Sequence, residues 1–291
     1  MKRRLLPAIL AALAIVLASG AQRGSAQAQT LAIPTNGVVC TTSPTDTFTL
    51  TATIGYATMS DGNAIHMWGY ANGDYSDVAT AAERFQLPGP LLCVDQGDTL
   101  TITLRNMLPE ATSLIFPGQE NVLANGLPSQ PVVASGALSL APVATAATAA
   151  GGVVTAGGTA TYSFVASEPG TYIYESGTNA GVQVQMGMSG VIIVRPSGAG
   201  FAYSYDMSSG DEAQVAYAYN RAESAFNPAH ENIEILSEID PFMHQAYEAD
   251  YISWMSSGAH DPQAFDMQGY VARYFLINGR SFPDTLADNG A

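Results

Sequence analysis

The chain has 291 residues, 47% of them hydrophobic, and its 25 acidic residues against ten basic ones give a formal net charge of −15. A surface of this charge repels the phosphates of nucleic acids and the headgroups of anionic membranes, so both are excluded as partners. The acidity suits a protein that must stay soluble outside the cytoplasm, and the collection of cations is the alternative role for it.

The first 28 residues have the pattern of an export signal. Residues 2–4 are basic, residues 5–18 are almost continuously apolar, and Ala-Gln-Ala at 26–28 is a cleavage site of small residues, with a second one at 19–21. A retained membrane anchor is the alternative, but the apolar run is short for a membrane span. We predict a signal peptide at 1–28 and export of the rest to the periplasm or the extracellular space. Six basic and 25 acidic residues then remain, a net charge of −19.

Alternation of apolar and polar residues, which is typical of strands with one face in a core, runs from residue 47 to residue 196. It is clearest at Thr99–Arg105, where leucine and isoleucine alternate with threonine and arginine. Further strands are predicted at Phe48–Ile54, Ala64–Tyr70, Thr159–Val165, Thr171–Tyr174 and Gly190–Val194. Many short strands without helical segments between them favour an all-β, antiparallel β-sandwich.

The composition changes at three later places. Residues 134–160 are mostly small and uncharged, and their glycine pairs disfavour a long helix, so we expect a surface insertion there. Residues 201–230 are polar and are interpreted as a connector. After them, the pattern predicts a strand at Glu231–Glu238, a short helix at Pro241–Glu248 and a strand with a turn at Tyr274–Arg280.

Five segments together carry a resemblance to a known family. They are Leu-Pro-Gly-Pro-Leu-Leu-Cys-Val at 87–94, Gln-Gly-Asp at 96–98, Thr-Ser-Leu-Ile-Phe-Pro-Gly at 112–118, Gly-Thr-Tyr-Ile-Tyr-Glu-Ser-Gly at 170–177 and Met-Gly-Met through Arg-Pro at 186–196. In order, spacing and flanks they resemble the first cupredoxin domain of multicopper oxidases. The resemblance implies a Greek-key, cupredoxin-like sandwich over about residues 31–200. It also implies the incomplete start of a second cupredoxin domain over residues 231–291.

The copper ligands of that family are missing from these segments. In the family one His-x-His motif follows the Thr-Ser pair and another follows the Gly-Thr-Tyr run. The matching positions here are Ile115 and Pro117, then Glu175 and Gly177. The side chains of isoleucine, proline and glycine offer copper no ligand atom. Copper is implied for the family, but we predict that this chain binds no metal or other cofactor. A weak site for a hard cation at Glu175 is the alternative to a hydrogen-bonded polar role.

The histidines of the chain, and the two methionines that begin the segment at 186–196, have ordinary structural interpretations. His66 is expected on the polar face of a strand, and His244 is expected to be packed or exposed rather than catalytic. Met186 and Met188 recur beside an apolar strand, where methionine packs as a core residue. No two of the four histidines are close in sequence; they are His66, His230, His244 and His260. The chain therefore lacks the histidines that a copper cluster needs.

Two cysteines, Cys40 and Cys93, are the only ones in the chain. An isolated pair in an exported protein most often forms a disulfide, which would tie the N-terminal segment to the sheet. A copper-thiolate role is the alternative, but no histidine lies within twenty residues of either cysteine. We predict the Cys40–Cys93 disulfide.

The resemblance implies copper-dependent oxidation of a small-molecule or metal-ion reductant, coupled to reduction of oxygen, in a longer parent protein. We interpret the chain as the N-terminal portion of such an exported protein, inactive by itself because its ligands are replaced. A non-catalytic structural or binding module of cupredoxin fold is the alternative. The strands after residue 202 are too few to bury a core, so we expect that part to be less stable than the first domain.

Overall fold

The computed structural model describes residues 40–134, 136–203 and 214–286, and the predicted signal peptide at 1–28 lies outside these ranges. The described chain is built mainly of strands. The strands are β1 (Thr47–Thr58), β2 (Ala64–Asn72), β3 (Phe85–Gln86), β4 (Leu92–Asp95), β5 (Thr99–Asn106), β6 (Leu123–Ala124), β7 (Leu127–Pro128), β8 (Val132–Ala134), β9 (Ala137–Ser139), β10 (Thr148–Ala150), β11 (Val153–Thr155), β12 (Thr159–Val165), β13 (Gly170–Glu175), β14 (Ser189–Arg195), β15 (Ala216–Tyr217), β16 (Ala225–Phe226), β17 (Leu236–Ile239), β18 (Tyr274–Ile277) and β19 (Arg280–Ser281). The α-helices are α1 (Val78–Glu83), α2 (Ala180–Gln183) and α3 (Pro241–Ser257).

Two sheets form a sandwich. The larger has the order β3-β2-β1-β5-β12-β6-β7, and the smaller has the order β13-β14-β4. Strands β1 and β5 pair in parallel, as do β14 and β4, and the other neighbours in the two sheets are antiparallel. Strands distant in sequence are thus neighbours in space, as in a Greek key. The predicted all-β sandwich is confirmed, with these two parallel pairings added.

Strand β5 demonstrates why the sequence folds this way. Its residues Leu100, Ile102 and Leu104 are fully buried, whereas the threonines between them are half-buried. A period of two places these side chains on one face of the strand, toward the smaller sheet. They meet Leu92 and Ile192 of that sheet in the main hydrophobic core.

The segment 134–160, for which a surface insertion is predicted, contributes to the core as well. It forms the hairpins β8–β9 and β10–β11. Ala141 and Ala144 are buried in the main core, and Ala147 and Ala149 are buried against Trp254. Alanine is small enough to pack beneath neighbouring elements, so only part of this segment is a surface feature.

Helix α3 is longer than the predicted Pro241–Glu248 and extends to Ser257. The Asp240 carboxylate accepts a hydrogen bond from the amide of Phe242, and Pro241 occupies the first turn, where a missing N–H costs nothing. Gly258, with φ of 75°, ends the helix in a left-handed conformation. Of the predicted strand at 231–238, the structure forms only β17, whereas the predicted strand and turn at 274–280 are present as β18 and β19.

The described residues, from 40 onward, belong to one compact unit, and α3 packs directly on the sandwich. Met243 and Tyr247 belong to the main core, and the Tyr247 ring meets the Trp68 ring edge-on at 5.6 Å between centroids. Ile239 and Leu276 of the sheet β17-β18-β19 pack against buried residues of β1 and β2. The C-terminal segment thus has its apolar partner in the sandwich, and the expected shortage of burial does not occur at α3.

The disulfide between Cys40 and Cys93 is present, with the two Cα atoms 5.5 Å apart. Thr41 lies beside β4, donating its amide to the carbonyl of Leu91 at 2.7 Å and accepting from the amide of Cys93 at 3.1 Å. The bond therefore holds the start of the described chain against the smaller sheet. Within the described ranges, no helix is long and apolar enough to cross a bilayer.

Candidate functional site

The structure brings together three of the four positions that the resemblance implies for copper ligands. Ile115 pairs with Glu175 in an isolated antiparallel bridge, through amide-to-carbonyl hydrogen bonds of 2.9 and 3.2 Å. Gly177 follows two residues later and is buried beside Ile115. Pro117 lies farther along, exposed in the turn that Gly118 completes with φ of 86°.

Ile115 occupies the space that a side chain at position 177 would need. A Cβ atom placed on Gly177 would lie 2.6 Å from Cγ2 of Ile115, a distance that real Cβ atoms do not tolerate. The same atom would lie 3.1 Å from Oγ of Ser113. The isoleucine and the glycine are thus complementary in shape, and a histidine at position 177 does not fit beside Ile115.

The residues at the family's ligand positions do not fit copper. Among the four, the Glu175 carboxylate is the only side chain with a donor atom, and carboxylate oxygen is a ligand for hard cations rather than for the copper sites of this family. Glu175 is half-buried, and its carboxylate has no hydrogen-bond partner among the described residues. Within the described parts of the chain, no group of three or more histidine, cysteine or acidic side chains is arranged to hold a metal ion.

Hydroxyl groups fill the interior next to these positions. The side-chain oxygens of Ser113, Ser139 and Thr178 lie 2.7 to 3.0 Å from one another, and all three residues are buried. Ser176 donates a hydrogen bond to Oε1 of Gln183 at 2.7 Å. Serine and threonine pair with each other and leave no buried polar atom here without a partner. The segments that would carry the ligands are thus held by neutral hydrogen bonds.

A buried ionisable cluster lies at the end of this network. The Glu110 carboxylate accepts hydrogen bonds from Gln183 at 3.0 Å and Asn179 at 3.1 Å, and its other oxygen lies 3.2 Å from Nε2 of His260. Nδ1 of His260 contacts the carboxylate of Asp250, which lies near the middle of α3. Burial disfavours the charged imidazole, but the hydrogen bonds to the two carboxylates outweigh it and raise the pKa of His260.

His66 is not on a polar face, contrary to the sequence-based expectation. It is buried beneath α3, with the rings of Tyr56 and Tyr251 each 5.5 Å from its own between centroids. Burial and the nearby His244 lower the pKa of His66 to about 4. The face of β2 that carries His66 is not exposed to solvent, because α3, which comes much later in the sequence, covers it.

From the sequence, His244 is expected to be either packed or exposed, and the structure shows it packed. Its Nδ1 lies 2.6 Å from the carbonyl oxygen of His66, and burial lowers the pKa of His244. His244 on α3, His66 beneath it and His260 just after it therefore lie around this helix, whereas His230 is exposed. The sequence contains one indication of this arrangement: Met243, Tyr247 and Tyr251 recur every four residues and mark a buried helical face.

An open cleft of about 1060 Å³ borders Glu175. One wall is the outer face of the smaller sheet, with Ile173 and Val191, and the other is the C-terminal sheet, with Leu236 and Phe275. We call this feature the apolar cleft. Glutamates 175, 234 and 238 also line it, and none of its described lining residues is basic.

Comparisons with known proteins concern the fold. No family model matches the chain, and no curated protein matches it. Among solved structures, it is similar to the multicopper oxidase mgLAC, with 19% identity over 81% of this chain and 54% of that one, at a TM-score of 0.48. It is also similar to a multicopper oxidase from Pseudomonas thermotolerans, with 16% identity over 84% of this chain and 42% of that one, at a TM-score of 0.48. A third similar structure is a copper nitrite reductase from Nitrosomonas europaea, with 18% identity over 85% of this chain and 60% of that one, at a TM-score of 0.46. The chain thus spans about half the length of these structures.

Proposed function

We propose that this chain is a copper-free, cupredoxin-type part of an exported multicopper-oxidase-like protein. The observation that carries the proposal is the contact between Ile115 and Gly177. The resemblance carried by the five segments implies that these are ligand positions of the family, and the chain brings them side by side while filling the space with an isoleucine methyl group. A site that had merely lost one ligand would keep donor atoms at the others, and only Glu175 has any.

Export is part of the proposal. The basic and apolar start of the sequence, the strongly acidic remainder and the single disulfide all suit an oxidising compartment outside the cytoplasm. In this role the sandwich supplies a folded scaffold, and oxidation of a small-molecule or metal-ion reductant belongs to copper sites elsewhere in a longer protein. This chain alone is then inactive as an oxidase.

Copper loading tests the proposal directly. The protein is incubated with Cu(II) and with Cu(I), desalted, and analysed for metal content and oxygen consumption with a reductant. We expect no stoichiometric copper and no oxygen consumption. Tight, stoichiometric copper in the unchanged protein, together with oxygen reduction, would overturn the copper-free assignment.

A fourfold variant provides the matched control for the copper experiment. Changing Ile115→His, Pro117→His, Glu175→His and Gly177→His restores the ligand types and removes the isoleucine that blocks position 177. We expect this variant to gain weak copper binding, visible as an electron paramagnetic resonance signal, without gaining oxidase activity. In the resembling family the remaining ligands of the cluster come from another domain, so the chain alone supplies only half of them.

A non-catalytic binding module is the second candidate, and the apolar cleft favours it. A cleft of this size beside a sheet face is a feature that binding domains use. The two candidates differ in whether oxidation occurs anywhere in the parent protein. Assay of the natural full-length protein for copper and oxidase activity separates them.

A further inference from the structure

We propose that the apolar cleft binds a small organic cation, namely an amine or ammonium group carried on a compact apolar body, with Glu175 as the residue that meets the positive charge. This binding role goes beyond the copper-free assignment and does not depend on it. The inference rests on the shape of the cleft, its apolar walls and the sign of the charge at its rim.

The walls of the cleft carry large apolar side chains that are exposed to solvent. Leu236 is 74% exposed, Phe275 68% and Ile173 49%, and all three line the same cleft. Single exposed apolar residues are common, but a group of them that lines one cleft marks a binding surface. An apolar ligand body that displaces water from these three side chains would gain the free energy of burying them.

The charge in the cleft is entirely negative. Glu175, Glu234 and Glu238 line it, and the described lining residues include no arginine, lysine or histidine. The Glu234 carboxylate already accepts a hydrogen bond from Asn232 at 2.9 Å. The Glu175 carboxylate has no such partner among the described residues, is half-buried, and lies at the end of β13. A ligand cation can therefore meet the Glu175 carboxylate without displacing a hydrogen-bond partner from the described residues.

The net charge of the rest of the protein also favours a positively charged ligand. The predicted mature chain has six basic and 25 acidic residues. A strongly acidic surface raises the local concentration of cations and speeds their association, whereas it repels anions. An anionic apolar compound of the same size and shape is therefore the compound that the cleft should bind least.

The size and the backbone pairing favour a small molecule over a peptide. The volume of about 1060 Å³ is just above the ~300–1000 Å³ usual for small-molecule sites. A peptide would most readily add a strand to an open sheet edge. At Glu175 that edge is already bridged by Ile115, so the end of β13 offers no free backbone for such an addition.

Three compounds with one rigid apolar body and different head groups test the inference. They are 1-adamantylamine, 1-adamantanol and 1-adamantanecarboxylate, titrated into the mature protein by calorimetry at physiological salt and neutral pH. We expect the amine to bind about tenfold more tightly than the alcohol, because a charge-assisted hydrogen bond adds roughly 1.5 kcal/mol. The carboxylate should bind most weakly of the three.

Matched variants locate the site. Glu175→Gln should weaken binding of the amine about fivefold or more and leave the alcohol unchanged, while Glu120→Gln, at an exposed position outside the cleft, changes neither. Phe275→Ser should weaken the amine and the alcohol alike, and Ile252→Ser, equally exposed but on α3, should not. Absence of binding by all three compounds would overturn the inference, as would equal affinity for amine and carboxylate or equal effects of the two glutamate variants.

Discussion

Nε2 of His260 lies 3.2 Å from Oε1 of Glu110, and these two residues are 150 positions apart in the chain. The contact joins the loop after α3 to the loop after β5. Asp250 holds the other ring nitrogen, so the imidazole is fixed between two carboxylates. The same residue pair thus ties the C-terminal segment to the sandwich and makes the strength of that tie dependent on pH.

The first prediction concerns alkaline pH. The folded-state pKa of His260 is raised above its usual 6.5, so its stabilising charge is fully present below pH 6.5 and is lost as pH rises through the higher folded-state pKa. We expect the free energy of unfolding to fall over this interval. His260→Gln should remove the fall, whereas His230→Gln, at an exposed histidine, should retain it. Urea denaturation at a series of pH values measures the effect.

The second prediction concerns acid pH, where we expect stability to fall as the pH decreases. Burial lowers the pKa of His66 to about 4, so the unfolded chain takes up a proton before the folded one does. Stability should decline as pH falls from about 6.5 toward 4, by roughly 3 kcal/mol for this residue. His66→Phe should flatten the acid decline, with His244 contributing a remaining slope of the same sign. An unchanged acid decline in the variant would contradict the burial of a neutral imidazole.

The third prediction concerns the packing of Ile115 against Gly177. Gly177→Ala places a Cβ atom 2.6 Å from the isoleucine and should destabilise the fold by about 1–3 kcal/mol. In an Ile115→Ala background the same change should cost much less, because the obstructing methyl group is gone. A double-mutant cycle by chemical denaturation measures the coupling. Strict additivity of the two changes would disprove the contact.

The fourth prediction concerns the disulfide, which closes a loop across a sequence separation of 53 residues. The Cys40→Ser, Cys93→Ser variant should lose about 4 kcal/mol, the loop-closure entropy expected for this length. The Cys40→Ala, Cys93→Ala variant separates the loss of the bond from the burial of a hydroxyl. Guanidinium denaturation of the variants and of the oxidised protein gives the difference, and identical midpoints would contradict a stabilising bond.

Helix α3 leads to the fifth prediction. Because Met243 and Tyr247 belong to the main core, the amides of α3 should exchange with solvent only at the free energy of global unfolding, as those of β5 do. Tyr247→Ala should cost about 3–5 kcal/mol, whereas Ile252→Ala, on the exposed side of the helix, should cost well under 1 kcal/mol. Hydrogen exchange followed by mass spectrometry tests the first statement. Early exchange of α3 alone would contradict it.

The sequence is sufficient to predict local structure wherever one period dominates. The alternation at Leu100, Ile102 and Leu104 predicts β5, and the two cysteines predict their bond. The sequence is not sufficient to predict the burial of His66, because α3 covers this residue. The alternation of residues within a strand does not reveal which helix will cover the strand. The sequence does contain the signal for a longer α3, since Tyr251 and Trp254 continue its apolar face beyond Glu248.

The seating of α3 on the sandwich also affects how the protein can be divided for study. A fragment ending near residue 203 would retain every strand of both sandwich sheets but would uncover Trp68 and His66. We expect such a fragment to aggregate or to bind dyes that report exposed apolar surface. For recombinant expression, the shortest sound boundary therefore lies after β19, so that both the His260 contact and the packing of Leu276 on the sandwich are kept.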